Sequence, residues 1–416
     1  MNLYAHQEAI IKDDPKKCGL FLGTGSGKSL TALLLARDRA LIICPKTIKQ
    51  DRVWERQLAN IDFPVDVVEI MVMSKEEFKK AAPSLGYFNT VIVDECHTML
   101  GVTPNTRWRK KVEIPKASQL FEALEEYLRR TKPERLYLLS ATIVKNPFTV
   151  WAAAQLLRSN NYNFYDFRSV FYQKLPVPGR EIYSPKRNDA VKDKLATIVQ
   201  SLGYVGRLQD YFDVPEQSYK VIHVDLTPAQ SARIKDVKME FPDPIVRVGK
   251  MHQIENGVLS GDEFSDPEVF ENAKIDKILE ILLEYPKLCI FAKYRAQIAQ
   301  IEAVLRQQGI PTLTLTGDTK DRGGVIQAAN TMPQGVLIVQ AQIGAGFELP
   351  DYPCMVFASC TYSFVDRVQA EGRILRANHL KKNLYIDLVV RGGVDEAVME
   401  CIKNKKDFDE RLYIQA

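Results

Sequence analysis

Short apolar runs rich in Val, Ile and Leu recur along this chain, separated by amphipathic stretches of helical period, and the whole rhythm occurs twice. In the first half the runs are CGLFL, ALIIC, VDVVEI, NTVIVDE and RLYLLSA, with KSLTALLLARD, TIKQDRVWERQLAN and KASQLFEALEEYLRR between them. In the second half KLCIF, TLTLTG, GVLIVQ, CMVFAS and NLYIDLVV alternate with YRAQIAQIEAVLRQQG and FVDRVQAEGRILR. Strands that are apolar on both faces need cover on both faces, and parallel sheets flanked by helices provide it. The expected class is α/β with two parallel-sheet domains, one over residues 1–150 and one over residues 216–416. Residues 151–215 are an aromatic and polar mixture without that rhythm, and they are expected to form a helical extension and connector.

Composition narrows the class only slightly. With 46% apolar and 26% charged residues the chain fits an enzyme or a binding module equally well. A net charge of +4 permits a polyanionic partner without requiring one. The seven cysteines form no C-x-x-C pair, and several sit inside apolar runs, so buried thiols are expected and neither disulfides nor a structural metal. The N-terminal MNLYAHQEAI lacks the layout of a signal peptide, and no apolar run reaches membrane-spanning length. A cytoplasmic protein with no membrane partner is expected.

The stretch LGTGSGKSL, residues 22–30, follows the first strand and opens the first helix. Gly23, Thr24, Gly25, Ser26 and Gly27 alternate glycine with small hydroxyl residues, so the backbone can curl and turn successive N–H groups towards phosphate oxygens. Lys28 then reaches the β/γ-phosphates and Ser29 takes a Mg²⁺ position. The position usually held by a first glycine is Leu22, which belongs to the strand end. Further on, NTVIVDECH places Asp94 and Glu95 at the C-terminal end of an apolar strand, where open α/β sheets bind their ligands. In such a pair one carboxylate serves the metal and the other orients and deprotonates the attacking water. ATP and Mg²⁺ are the expected ligands, with hydrolysis the expected reaction.

Taken in order, HQ (ending at Gln7), TGSGKS, IICPKTIKQDRVW, VDECH, LSAT (ending at Thr142), IFAKY, IGAGFELPD and QAEGRILR resemble the ordered motifs of superfamily 2 helicases. The resemblance runs from Gln7 to Arg376. VIHVDLTPAQ and VDEAVMECIKNKKDF lean towards the Snf2-like branch, LSAT and DECH towards general DExH helicases, and small phage or viral helicases show a similar blend. The resemblance implies two RecA-like domains with the ATP site in the cleft between them. It implies that Gln7 reads the adenine, helped by Tyr4, and that His97, Ser140 and Thr142 couple the cleft to a bound strand. From the second domain Gly346 and Glu348 would face the ribose side, and Gln369, Arg373 and Arg376 the γ-phosphate. Read without the resemblance, Gln7 also fits a surface position, Ser140 and Thr142 a capped turn, and Arg373 with Arg376 a solvated helix face.

Strand-tracking motors of this kind hold nucleic acid across the tops of both domains. The candidates are Lys46 and Thr47 after the second strand, Thr316 and Gly317 in the second domain, and Arg107, Trp108 and Arg109 in TPNTRWRKK. The last group combines phosphate-neutralising charge with a stacking platform, though a basic loop with Trp108 tucked into the core fits the same residues. No base specificity is expected, nor any appended zinc module, wedge domain or nuclease. The function these features suggest is an ATP-dependent DNA helicase, monomeric, acting on single-stranded, forked or branched DNA by unwinding or branch migration. A duplex translocase that remodels bound proteins, an RNA helicase and an ATP-controlled nucleic-acid clamp are the other readings. The intact Glu95, Arg373 and Arg376 count against the clamp, which has no need to activate water.

Overall fold

The computed structural model describes residues 3–59, 61, 66–109, 112–158, 162–176, 181–186, 188–213, 216–261, 267–341, 347–375 and 382–404. The chain divides into two compact units, Met1–Phe212 and Asp213–Ala416. In the first, strands β1 (Lys17–Leu22), β2 (Asp38–Cys44), β3 (Val67–Ser74), β4 (Thr90–Val93), β5 (Arg135–Leu139) and β6 (Gly203–Gly206) form one sheet in the order β6-β1-β5-β4-β2-β3. Every pairing in it is parallel. Alternate residues serve opposite faces, as the two-residue period requires. Phe21, Leu41, Ile43, Val91, Val93 and Leu138 enter one core, while Leu20, Leu22, Ile42, Ile92 and Leu139 enter the other.

The second unit repeats the plan with β7 (Gln217–Val224), β8 (Lys287–Ala292), β9 (Thr312–Leu315), β10 (Gly335–Gln340), β11 (Cys354–Phe357) and β12 (Asn383–Val390), in the order β7-β12-β11-β8-β10-β9. These pairings are also all parallel. Leu288 and Ile290 face one core and Cys289 and Phe291 the other. Cys18, Cys44, Cys96, Cys289, Cys354 and Cys360 are buried thiols. Among the described residues no helix is long and apolar enough to cross a membrane.

Four segments differ from what the sequence suggests. Residues 151–215, expected as extension and connector, contribute β6 to the edge of the first sheet, where Gly203 pairs with Gly19. Trp151, Phe164, Phe167 and Phe171 from the same stretch pack into the core that lies against β1 and β4, so the first unit runs on to Phe212. TIKQDRVWERQLAN is two helices, Lys46–Gln50 and Val53–Ala59, because Arg52 adopts a left-handed φ of 48° that ends one and starts the other. Residues 103–109 of TPNTRWRKK are strand and not loop: Val102–Arg109 pairs antiparallel with Val112–Ala117 as a hairpin. β7 went unread because its sequence, QSYKVIHV, mixes polar residues into an edge position.

Candidate active site

β1 delivers the chain to the glycine-rich loop, and helix α2 (Lys28–Leu35) carries it away. Leu22 is a fully buried strand residue, which explains why no glycine is needed there. Gly25 and Gly27 hold φ values of 82° and 80°, in the left-handed region that favours glycine. A Cβ on Gly27 would also lie 2.4 Å from Gln7 Nε2. The Lys28 ammonium donates to the main-chain oxygens of Leu22, at 2.8 Å, and Gly23, at 3.0 Å. Ser26 Oγ donates to Gly23 O at 2.7 Å, bracing the turn from within. Thr24 and Ser29 are half-buried and Gly25 is exposed, so the loop's mouth opens to solvent. The first N–H groups of α2 have no partner inside the helix and suit an anion.

Helix α1 (Ala5–Asp13) backs this loop. Gln7 is no surface residue: it is 1% exposed, and both ends of its amide are engaged. Oε1 accepts from Tyr4 N at 3.0 Å, while Nε2 donates to Gly27 O at 3.2 Å and to Thr31 Oγ1 at 3.3 Å. His6, which sequence reasoning overlooked, bonds through Nε2 to Ser26 O at 2.9 Å and stacks on Tyr211, ring centroids 4.1 Å apart. Tyr4 meets Phe212 edge-on at 4.4 Å. The end of the first unit is thus brought against its beginning, beside the loop, by a pairing of aromatic rings that sequence distance conceals.

At the end of β4, Asp94 is buried and its carboxylate is fixed on both sides. Trp54 Nε1 donates to Oδ2 at 3.2 Å and Glu95 N to Oδ1 at 2.9 Å. Burial, then the neighbouring Glu95 charge, pushes the Asp94 carboxyl up to about 6, against the opposing pull of Lys28 and Lys75. The Lys28 charge thus favours the ionised form of Asp94. Glu95 stands in the left-handed region, φ 44° and ψ 51°. Its Oε2 is buried without a hydrogen-bond partner and lies 3.4 Å from His97 Nδ1. A buried carboxylate oxygen with capacity to accept is suited to hold and deprotonate a water.

His97 Nδ1 is 2.9 Å from Ser140 Oγ, and Thr142 N donates to that same oxygen at 3.1 Å. The three residues expected to act together are therefore in contact, just past the ends of β4 and β5. Burial lowers the His97 pKa to about 4, the Glu95 charge opposing, so the ring is neutral at pH 7.

In the second unit Arg373 is buried, not solvated. Its Nη1 donates to Phe347 O at 3.0 Å, and its own carbonyl accepts from Leu349 N at 2.9 Å. Gln369 is half-buried on the helix Phe364–Glu371, which ends at Gly372, one residue before Arg373. That helix is pinned by Arg367, whose guanidinium pairs with Asp387 through Nη1 and, at 2.9 Å, through Nη2, and with Glu371 at 2.6 Å. Glu348 is exposed, with its carbonyl bonded to Asn330 Nδ2 at 3.0 Å. Gly346 and Arg376 lie outside the described residues.

Of the candidate strand contacts, Lys46 is exposed and lines a cavity of about 600 Å³ with Lys49, Arg52 and Lys80. Glu55, Glu76 and Glu77 share that lining, and Glu77 is tied to Lys49 at 2.5 Å. Thr47 is half-buried in the same short helix. Gly317 N donates to Gln340 Oε1 at 3.1 Å, and Thr316 N to Thr319 Oγ1 at 2.9 Å, in the turn after β9. On the hairpin Trp108 is 75% exposed, which excludes a place in the core. Arg107 is paired with Glu122, and Arg109 closes the first strand of the hairpin.

The donors present fit a nucleoside triphosphate with its metal. Lys28 and the loop N–H groups would hold phosphate, and Ser29 with Asp94 would serve Mg²⁺.

Residues 273–378 match the helicase conserved C-terminal domain. No curated protein sequence matches the chain. Among solved structures the chain is similar to the Pyrococcus furiosus Hef helicase domain, at 15% identity and a TM-score of 0.50, covering 95% of this chain and 97% of that one. It is also similar to the Sulfolobus solfataricus SWI2/SNF2 ATPase core in complex with dsDNA, at 16% identity and a TM-score of 0.39, covering 97% and 91%. The Hef likeness extends through both sheets, so this chain has the two-unit RecA-like fold, and residues 273–378 of the second unit carry the helicase conserved C-terminal domain match.

Proposed function

We propose that the chain is an ATP-dependent DNA helicase that turns hydrolysis into movement along DNA and unwinds or branch-migrates forked and branched substrates. The observation that carries the reading is the Glu95 carboxylate, whose Oε2 is buried without a hydrogen-bond partner next to Asp94, the carboxyl whose ionised form the Lys28 charge favours. Glu95 orients the attacking water and takes its proton, while Lys28 and the loop N–H groups bind the phosphates. Ser29 and Asp94 would hold Mg²⁺, which would supply neutralising charge at the phosphate oxygens. Gln369, Arg373 and Arg376 act on the γ-phosphate in this reading, and Gly346 and Glu348 on the ribose. His97, Ser140 and Thr142 relay the state of Glu95 towards the strand, which Lys46, Thr47, Thr316, Gly317 and the hairpin around Trp108 contact. The His97–Ser140 bond supports that relay because its partners stand on different strands' ends.

ATP turnover measured in parallel with single-stranded, duplex and forked DNA and with RNA tests the proposal. Strong stimulation by single strands or forks, with strand separation on forks, is the expected result. Stimulation by duplex alone points to a translocase, by RNA alone to an RNA helicase, and no stimulation by any of them overturns the motor.

A further inference from the structure

The helix Lys75–Ala81 begins with a residue that breaks two local rules. Its N-terminus is closed by a capping box: Glu77 N donates to Ser74 Oγ at 3.2 Å and Ser74 N to Glu77 Oε2 at 2.8 Å. A helix start of this kind favours anions, yet its first position is a lysine. That lysine is also 5% exposed, and an ammonium group withdrawn from water is costly unless something compensates it. Lysines at helix surfaces usually extend their heads to solvent, and this one does not.

The compensation comes from the end of β4. Lys75 Nζ donates to the Glu95 main-chain oxygen at 3.2 Å and to Thr98 Oγ1. Burial draws the ammonium's pKa down, and the largest opposing effects come from Asp94 and Glu95. Glu95 has its own local oddity, the left-handed backbone that residues with a Cβ rarely adopt. In that conformation its carbonyl oxygen accepts from Thr98 N at 3.1 Å, Thr98 Oγ1 at 2.9 Å and Lys75 Nζ. Thr98 belongs to the same turn as Glu95 and moves with it. Lys75 is anchored elsewhere, at the end of β3, and ties the turn to that strand, as His97 ties it to Ser140. Two residues that each violate a local preference satisfy one another, a pattern expected where function has overridden local fit.

We propose that Lys75 is a positioning residue for ATP hydrolysis, clamping the Glu95 main-chain oxygen so that the left-handed turn persists and the Glu95 carboxylate stays directed at the water it activates. The proposal rests on the reading of Glu95 as the water-activating group.

Steady-state and single-turnover ATP hydrolysis of the full chain with DNA, for wild type, Lys75→Met, Glu95→Gln and the double variant, tests it. Lys75→Met should lower kcat about 10- to 100-fold while the KM for ATP and nucleotide binding stay near wild type. In the Glu95→Gln background the same substitution should leave the residual single-turnover rate nearly unchanged, because the group it positions is gone. A purely structural lysine would instead lower thermal stability and impose its loss in both backgrounds, and that result overturns the proposal. So does a normal kcat in Lys75→Met beside a failing Glu95→Gln. Should Lys75→Met not fold, Thr98→Val removes the hydroxyl that shares the Lys75 ammonium; a lower kcat at unchanged KM supports the clamp, and an unchanged kcat overturns it. A wild-type chain without ATPase activity, or a fully active Glu95→Gln, sinks the underlying reading of Glu95 instead, and the two failures are thereby told apart.

Discussion

The Lys28 ammonium and the Leu22 main-chain oxygen lie 2.8 Å apart, so the loop lysine is folded onto the strand end that precedes its own loop. Leu22 O and Gly23 O are partners that an entering phosphate can replace, since a phosphate oxygen offers the lysine more charge than a carbonyl does. Lys28→Met should therefore abolish ATP hydrolysis, yet leave DNA affinity in nucleotide-free buffer and the melting temperature close to wild type. Turnover, DNA titration and a thermal melt on one preparation check all three. A matching loss of DNA affinity would show that the phosphate and strand sites are not separate.

Gln7 invites a different experiment, because its amide is already spent inside the fold. Truncation to Ala removes one acceptor for Tyr4 N and the donor shared by Gly27 O and Thr31 Oγ1. Loss of such buried bonds costs about 1–3 kcal/mol, so Gln7→Ala should show a lower denaturant midpoint. It should also slow ATP and GTP hydrolysis to a similar degree if Gln7 acts by bracing Gly27. A loss confined to ATP would instead show that Gln7 reads the adenine.

Much of the fold was legible because the signals are local. Strand runs such as RLYLLSA and KLCIF are apolar on both faces, and G-K-S after CGLFL marks a loop-to-helix turn whatever surrounds it. What escaped depends on contacts remote in sequence. β6 is four residues long and includes two glycines, and it is a strand only because β1 offers an edge to pair with. The Tyr211 and Phe212 rings meet Tyr4 and His6 across almost the whole first unit. Lys75 reads as an ordinary surface lysine in MSKEEF, and nothing nearby in sequence announces that Glu95 lies beside it. The hairpin was missed for another reason: RWRKK is so strongly basic that charge masked its alternation, in which Trp108 stands opposite Glu113.

Trp108 on that hairpin is the sharpest test of the strand contacts. An indole this exposed contributes little to folding, so Trp108→Ala should change stability by no more than about 0.5 kcal/mol. If a base stacks on it, DNA affinity should fall by about 1–3 kcal/mol. Fluorescence anisotropy with a single-stranded oligonucleotide, beside a thermal melt, separates the two quantities. Unchanged affinity at unchanged stability would remove the hairpin from the strand path.

The His97 ring makes a prediction about pH. In the folded chain its pKa is lowered to about 4 by burial, from an ordinary value of 6.5. Between those two values the unfolded chain binds a proton that the folded chain resists, so stability is fully present above pH 6.5 and declines as pH falls through the window. The loss should reach ~3 kcal/mol by pH 4 for this buried group. Asp94 works in the opposite sense: burial raises its pKa to about 6, so its protonated form favours the fold as pH drops below that value. Raw stability against pH therefore mixes the two. His97→Asn removes one and keeps the other, and the difference between variant and wild type isolates the imidazole. Urea unfolding at pH 7, 5.5 and 4.5 should show wild type losing stability relative to His97→Asn at each step down. A constant difference across that range would mean that the ring is accessible to protons in the folded chain, and that its bond to Ser140 does not hold it neutral.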